Sequence, residues 1–173
     1  MRRMSAVIDH NTTWTQLAGF KSEYELRFGD DLVATMKFPK MLSSAALFQC
    51  EEGIWTIERV GFFDRKTVVR QVNSDKEIAN YSRRRWNRGG IIELSEGRTL
   101  ALRPDPWSRT MEVYKEEGNP IVTLKGRGIF KYNVDLSMSR SALHWPELPL
   151  LVALAFYQMI MARRDAAAHS AAH

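Results

Sequence analysis

The segment Leu148 to Ala162, with the sequence LPLLVALAFYQMIMA, carries apolar residues on every side, and Gln158 is its one strongly polar member. Pro149 suits a first helical turn, Glu147 precedes the segment and Arg163-Arg164 follow it, a charge order that favours the helix dipole. A helix that is apolar all round must be surrounded by protein or by lipid. A helix of this length extends about 22 Å, whereas a bilayer usually takes about 20 residues. An enclosed helix is therefore favoured over a membrane tail anchor.

Period-two alternation of apolar and polar residues dominates the chain before this segment. It covers residues 24–28, 32–38 and, most cleanly, 130–138, where apolar side chains recur from Phe130 to Met138. Each such stretch predicts a strand with one buried and one wet face. Turn sequences rich in Gly, Asp and Asn divide the remainder, and they predict further strands over 54–60, 67–72, 76–81, 91–94, 99–102, 111–114 and 121–124.

About a dozen short strands joined mostly by hairpins would leave costly open edges unless the sheet closed or folded into two layers. The predicted fold class that also encloses the apolar segment is all-β with one helix. It is a closed antiparallel β-barrel of about twelve strands around a central apolar C-terminal helix. We expect one barrel domain over residues 14–164, between a flexible N-terminus (1–13) and a flexible Ala-rich tail (165–173).

Composition places the chain among soluble globular proteins, because 45% of its 173 residues are hydrophobic and 26% are charged. This balance excludes a mainly disordered chain, a collagen-like fibre and a polytopic membrane protein. The first residues carry charge with no apolar run after it, which argues against a signal peptide. Cys50 is the single cysteine, so no internal disulfide can form and a reducing, cytoplasmic location is predicted.

The common catalytic and cofactor motifs do not occur in the sequence. G-x-S-x-G, H-E-x-x-H, a Walker loop and paired C-x-x-C are all absent, so we expect a protein that is not an enzyme and has no cofactor. Asp105 lies in the Pro-rich stretch 103–107, which predicts a turn where the Asp bonds its own backbone. The stretch Lys125-Gly126-Arg127-Gly128 could cradle a phosphate, although two glycines before a strand more often form a bulge or turn.

The most suggestive cluster is the stretch 82–90, SRRRWNRGG, which contains Arg83, Arg84, Arg85, Trp86 and Arg88. It concentrates most of the surplus behind the formal net charge of +5. Arginine binds phosphate in a bidentate manner, and tryptophan is favoured at membrane interfaces. The alternative is a solvated turn in which Arg84 or Arg85 pairs with nearby acids and Trp86 closes the barrel rim. Nucleic acid is the third choice, because the charge is modest and no reading helix or RNP-type motif is evident.

Four local phrases resemble those of the LURP-one-related proteins, which share the tubby C-terminal-like fold and have phospholipid scramblases as more distant relatives. They are GIWTIE (53–58), GIIEL (90–94), IVTLKG (121–126) and LPLLVALA (148–155), within a likeness that covers about residues 14 to 163. The resemblance implies a barrel around a central helix. It also suggests a role at membranes, because tubby domains bind phosphoinositides and scramblase relatives act there. The scramblase calcium-binding pattern does not carry over, since neither Asp135 nor Asp30-Asp31 has further acids nearby, and we expect no metal.

These observations together predict a non-enzymatic binding module for anionic phospholipid or phosphoinositide headgroups, cytoplasmic and peripheral at the membrane. The predicted headgroup-binding residues are Arg83, Arg84, Arg85, Trp86 and Arg88, with Lys125 and Arg127 as further contributors. The competing interpretation is a protein–protein interaction scaffold with no lipid ligand. The two interpretations differ in surface, because a scaffold is expected to expose an apolar patch larger than roughly a few hundred Å².

Overall fold

The computed structural model describes residues 1–7, 12–17, 22–40, 43–61, 66–84, 89–128 and 132–171, and it confirms the predicted fold class. Twelve antiparallel strands form a closed barrel, and one α-helix, α1 (Leu148–Ala171), follows them. The strands are β1 (Thr12–Gln16), β2 (Glu23–Phe28), β3 (Asp31–Lys37), β4 (Ala46–Cys50), β5 (Gly53–Val60), β6 (Lys66–Gln71), β7 (Glu77–Arg83), β8 (Gly90–Leu94), β9 (Thr99–Asp105), β10 (Thr110–Tyr114), β11 (Val122–Arg127) and β12 (Asn133–Met138).

The strands form a meander in which each strand pairs with the next, and β12 returns to pair with β1. The closing register places Thr12 opposite Leu136 and Trp14 opposite Val134. Successive connections of a meander alternate between the two ends of the barrel. We call the end that carries residues 139–147 and the first turn of α1 the start end. The opposite end, where α1 leaves the barrel, is the exit end, and it carries the β1–β2, β3–β4, β5–β6, β7–β8, β9–β10 and β11–β12 connections.

Every residue of α1 from Leu148 to Met161 is buried, which confirms the predicted enclosed helix. Phe156 stacks on Trp14 of β1, with ring centroids 4.1 Å apart and an interplanar angle of 4°. The Tyr157 hydroxyl donates to the carbonyl oxygen of Ser44 at 2.7 Å. An all-round apolar helix requires contacts of this kind on every side. Among the residues that the structure describes, no helix is long and apolar enough to cross a membrane.

The helix continues beyond its predicted end at Ala162 and reaches Ala171, so the predicted flexible tail begins as helix. Arg163 and Arg164 therefore lie within the helix, which corrects the expectation that they close it. Alanine has the highest helix propensity, so the alanine-rich residues stay helical without being buried. Three side chains that follow the buried half attach the helix to the exit end. The contacts are Arg163 over the Tyr132 ring (4.3 Å), Arg164 over the Phe38 ring (3.9 Å) and the ion pair of Asp165 with Arg59 (2.9 Å).

Two predicted turns begin later in the chain than expected, although Asp105 accepts a hydrogen bond from the backbone N–H of Trp107 as predicted. β9 extends to Asp105, so Arg103 and Pro104 pair with β10, and the turn begins only at residue 106. β11 likewise extends through Gly126 to Arg127, and the left-handed turn conformation (φ +79°) comes at Gly128. Proline and glycine indicated chain breaks at both places, but cross-strand pairing continues past them, with β10 in the case of β9 and with β12 in the case of β11.

Strict alternation fails in β3, where the consecutive residues Val33 and Ala34 are both buried. The register between β2 and β3 shifts between Leu26 and Arg27, which leaves Val33 as an extra residue in its strand. Such a bulge turns two successive side chains toward the same face. Phe130, the predicted start of the last strand, lies outside the described residues.

The N-terminal residues differ from the expected flexible segment. A 3-10 turn at Met4–Ala6 packs against the start end, with Met4 and Val7 buried. The Met4 N–H donates to a carboxylate oxygen of Glu52 at 2.9 Å. β1 then begins at Thr12, slightly before the predicted start of the domain at residue 14.

Candidate anion-binding site

Arg83 and Arg84, two of the predicted headgroup-binding residues, lie at the exit end and are exposed. Arg83 is the last residue of β7, opposite Gly90, and Arg84 follows it. Neither forms an ion pair with a described carboxylate. The predicted alternative was that Arg84 or Arg85 pairs with nearby acids, and for Arg84 no such pair is seen in the described part of the chain. Arg85, Trp86 and Arg88 lie outside the described residues.

Gly89 and Gly90 bring the end of the β7–β8 connection close to the barrel wall. A Cβ atom at Gly89 would overlap the carbonyl oxygen of Leu102, and a Cβ atom at Gly90 would overlap that of Ser82. The Arg84 N–H donates to the carbonyl oxygen of Gly89 at 3.0 Å. Only a residue without a side chain fits so close an approach. The two glycines therefore fix the backbone of Arg84 against β8 and β9.

A cleft of about 480 Å³ runs along the outer wall of β8 and β9 beside this residue, and we call it the Arg84 cleft. Its charged lining residues are all cations: Arg84, Arg103 and Lys115. Between them lie apolar side chains, including Ile91 and Ala101. No described carboxylate lines the cleft. A concave site with several cations and no acid concentrates positive potential, and it suits a phosphate or another anion.

Arg103 is held in the cleft without being neutralised. Its guanidinium lies over the Tyr114 ring at 4.6 Å from the centroid. Glu112 faces Arg103 across the β9–β10 pair, but this carboxylate accepts a hydrogen bond from the Tyr114 hydroxyl at 2.6 Å. That hydrogen bond, together with burial, raises the pKa of Tyr114, so the phenol keeps its proton. The carboxylate is thus held by the phenol, and Arg103 forms no ion pair with it.

Lys115 lies at the start end of the cleft. Its ammonium is 5.6 Å from the centroid of the Trp145 ring, and Arg98 lies over the same ring at 5.0 Å. Arg98 is paired with Glu147 at 3.3 Å, whereas Lys115 forms no described ion pair. Lys115 therefore adds positive charge to the cleft, and Arg98 contributes little.

Lys125 and Arg127, the two further predicted contributors, lie on β11 and do not line the Arg84 cleft. β8, β9 and β10 separate them from β7. Arg127 forms an ion pair with Asp135, which also accepts a hydrogen bond from the Thr13 hydroxyl at 3.1 Å. Lys125 stands beside the same carboxylate in the strand register but forms no ion pair. The structure thus places the predicted cations at two positions around the exit end.

A second, wider depression lies over β4, β5 and β6, with a volume of about 750 Å³. Its cation Arg70 is already paired with Glu58, and Asp75 adds a further acid to the lining. Because its two acids outnumber its one cation, this surface does not favour an anion. The Arg84 cleft is the better candidate site.

The groups that line the Arg84 cleft suit binding rather than proton transfer. The described lining contains no carboxylate, imidazole or thiol, and Thr99 supplies its only side-chain hydroxyl. The single thiol of the chain, Cys50, lies in β4, where burial raises its pKa to about 12. Among the described residues, no three His, Cys, Asp or Glu side chains lie close enough together to hold a metal ion.

Sequence reasoning missed Arg103 and Lys115. Arg103 faces outward on β9, as Thr99 and Ala101 do. If the alternation of the predicted strand 99–102 had been extended by two residues, it would have placed Arg103 on the outer wall. The adjacent prolines instead suggested a turn. Lys115 follows Tyr114 in a connection, and nothing in its local sequence distinguishes it from other surface lysines.

A comparison of the chain with protein-family models, with curated proteins and with solved structures finds no match. The resemblance to LURP-one-related proteins stays a prediction. The function is therefore argued from the barrel and the Arg84 cleft themselves.

Proposed function

We propose that this barrel is a non-enzymatic binding module that recognises anionic phospholipid headgroups, and that the Arg84 cleft takes the headgroup phosphate. The observation that carries the proposal is the convergence of Arg84, Arg103 and Lys115 in one cleft with no described acid among its lining residues. Arg84 and Arg103 lie nearest the exit end, one on each side of Gly89. Their planar guanidinium groups suit the oxygen atoms of a phosphate better than an ammonium does.

The apolar part of the lining supports a lipid ligand over a bare anion. Ile91, Ala101 and Pro104 line the cleft beside the two arginines, so a headgroup can place its uncharged part on them. This combination of a few charged groups with apolar surface is usual in ligand sites. The enclosed helix keeps the wall in place, because the opposite faces of β8 and β9 pack against the core through Ile92, Leu100 and Leu102.

The strength of the interaction sets a limit on what the cleft alone can do. A cation near an anionic leaflet contributes about 1 kcal/mol, so Arg84 and Arg103 at the exit end of the cleft contribute about 2 kcal/mol. A micromolar dissociation constant corresponds to about 8 kcal/mol. Direct hydrogen bonds to the phosphate, and contacts made elsewhere at the exit end, have to supply the difference.

The test is co-sedimentation with vesicles of phosphatidylcholine alone, with added phosphatidylserine and with added phosphoinositide. The informative variant is R84E/R103E, which reverses the two cations at the exit end of the cleft. The matched control is K76E/R140E, which makes the same charge change at two exposed residues of the start end. We expect the cleft variant to lose at least about tenfold in binding to anionic vesicles, and the control to stay close to wild type.

Thermal unfolding of both variants checks that the barrel is intact. Binding should weaken as salt increases, because exposed charges are screened. An equal loss in both variants would mean that net charge, and not the cleft, attracts the vesicle. If wild type pellets with none of the anionic vesicles, the lipid proposal is refuted and the scaffold interpretation takes its place.

A further inference from the structure

The connections at the two ends of the barrel carry opposite charge. In the described part of the six exit-end connections, the charged residues are Lys40, Arg84 and Arg109, all of them cations. In the start-end connections, acids outnumber Lys and Arg by two to one, and the N-terminal residues at this end add Arg2, which pairs with Asp31, and Arg3. The acids are Asp30, Glu51, Glu52, Asp75, Glu96, Glu116, Glu117 and Glu147, and the cations are Lys76, Arg98, Lys115 and Arg140.

Acids that lie near the exit end within strands or α1 leave this polarity unchanged. Glu23 pairs with Lys37, Asp135 with Arg127 and Asp165 with Arg59. Asp105 accepts hydrogen bonds from the backbone and the hydroxyl group of the turn that follows it, and these neutral donors do not cancel the charge of a carboxylate. The described cations of the exit end outnumber this acid, so the described part of the barrel is polarised along its axis: its exit end attracts an anionic surface and its start end repels one.

Trp107 projects from the exit end. Its side chain is 87% exposed, which makes it the most exposed large apolar side chain among the described residues. The other two exposed large hydrophobics, Met1 and Ile54, lie at the start end. An indole has an apolar body and a polar N–H, so an exposed tryptophan at a tip between strands is well placed to enter an interface.

The turn that presents Trp107 is well ordered. The Trp107 N–H donates to a carboxylate oxygen of Asp105 at 3.0 Å, and the Ser108 hydroxyl donates to the other oxygen at 2.8 Å. The Ser108 and Thr110 hydroxyl groups are hydrogen-bonded at 2.8 Å. The ring of Pro106 fixes the φ angle of this residue, which directly precedes Trp107. The indole is therefore held outward by its turn.

Two cations flank the indole. Arg109 follows in the same turn, and its carbonyl oxygen accepts a hydrogen bond from the Gly126 N–H at 2.9 Å. This contact places the neighbouring Lys125 beside the turn, where it pairs in register with Thr110. Neither cation forms an ion pair with a described carboxylate. An amphipathic ring between uncompensated cations matches the headgroup level of an anionic bilayer.

We propose that the protein docks on an anionic bilayer by its exit end, with the Trp107 indole inserted at headgroup level and with Arg109 and Lys125 against the lipid phosphates. The inference rests on the proposed function and adds an orientation and an anchor to it. A protein partner fits less well, because Trp107 stands alone: no second exposed large apolar side chain lies beside it in the described surface. The acidic start end faces away from the membrane.

The test measures quenching of tryptophan fluorescence by phosphatidylcholine–phosphatidylserine vesicles whose acyl chains carry bromine near the headgroup. The chain contains five tryptophans, and Trp86 lies between β7 and β8 in the sequence, in a connection of the same end. The contribution of Trp107 is therefore isolated by comparing W86F with W86F/W107F, which keeps an apolar ring at both positions. We expect W86F to be quenched when bound, and W86F/W107F to bind but lose most of the quenching. W107A should bind about tenfold more weakly, whereas the control I54A, which removes an exposed apolar side chain at the start end, should bind like wild type.

The outcomes separate the two proposals. If W86F pellets with anionic vesicles but is not quenched, or if its quenching persists in W86F/W107F, the insertion of Trp107 is refuted while headgroup binding stands. Unchanged binding by W107A refutes it in the same way. If wild type binds no anionic vesicle, headgroup recognition fails, and the docking orientation fails with it.

Discussion

Gln158 of the enclosed helix donates its side-chain N–H to the hydroxyl oxygen of Thr67 on β6 at 2.7 Å, in the interior of the barrel. Both side chains are buried, and Gln158 is the one strongly polar residue of the segment that fills the core. The bond therefore fixes both the rotation and the height of the helix relative to the wall. A slip of one residue would place an unbonded amide in apolar surroundings.

A double-mutant cycle on this pair tests that role. T67V leaves the Gln158 amide without its partner, and we expect a loss of about 1–3 kcal/mol in the free energy of unfolding. Q158L removes the donor but keeps much of the volume. The double variant should be less destabilised than the sum of the two single variants, by at least about 0.5 kcal/mol. Urea unfolding measures all three, and strictly additive effects would contradict a direct bond.

Gly89 offers a second prediction, which concerns the Arg84 cleft. G89A introduces a Cβ atom that overlaps the Leu102 carbonyl oxygen, so the end of the β7–β8 connection must move away from β9. We expect a loss of about 1–3 kcal/mol in stability, together with weaker binding of anionic vesicles because Arg84 moves with the connection.

The matched control is G126A. A Cβ atom at Gly126 meets its neighbours at ordinary distances, the nearest at 3.5 Å, and this residue also lies in a strand. Its unfolding midpoint and its vesicle binding should stay close to those of wild type. If G89A bound anionic vesicles as well as G126A does, the close approach at Gly89 would have no part in forming the site.

Cys50 gives the third prediction, through the pH dependence of stability. Burial, reinforced by a hydrogen bond with Glu52, raises the pKa of this thiol from 9.0 to about 12. Since the folded state favours the protonated thiol, the contribution to stability is fully present below about pH 9 and is lost as the pH rises toward 12. Between pH 9 and 11, wild type should therefore lose stability relative to C50A.

Thiol labelling supplies an independent measurement on the same residue. The folded protein should react very slowly with an aromatic disulfide reagent at pH 8, because the thiolate is the reactive form. One thiol per chain should react promptly once urea unfolds the barrel. Fast labelling of the folded protein at pH 8 would contradict both the burial of Cys50 and its raised pKa.

The architecture was predictable because both of its elements leave strong periodic patterns. Period-two alternation predicted the strands, and the uninterrupted apolar segment predicted a helix that must be enclosed on all sides. The helix boundary at Ala171 was missed because burial was used to define the helix, whereas the last residues are helical by propensity alone. The bulge at Val33 was missed because cross-strand register decides it, and register depends on the partner strand.

The site was only half predictable for a related reason. Arg84 belongs to a conspicuous run of arginines, but its partners Arg103 and Lys115 come from other parts of the chain. Only the order of β7, β8 and β9 around the barrel brings them together. Glu112 forms no ion pair with Arg103 and accepts a hydrogen bond from Tyr114 instead. The spacing of these residues in the sequence does not predict this choice of partner. The charge polarity of the barrel ends likewise becomes visible only when each connection is assigned to an end.

The position of α1 after all twelve strands has a consequence for how the chain is made on the ribosome. The strands of the wall are synthesised first, and Trp14 cannot stack on Phe156 until the chain has been translated beyond residue 156. During that interval the inward faces of the strands cannot pack on α1, so the nascent chain exposes apolar surface that favours aggregation. The closing pair β1–β12 also joins segments that are far apart in sequence, which slows folding. Folding of this barrel therefore completes in one late step, after the helix has been synthesised and can supply the core to the strands already made.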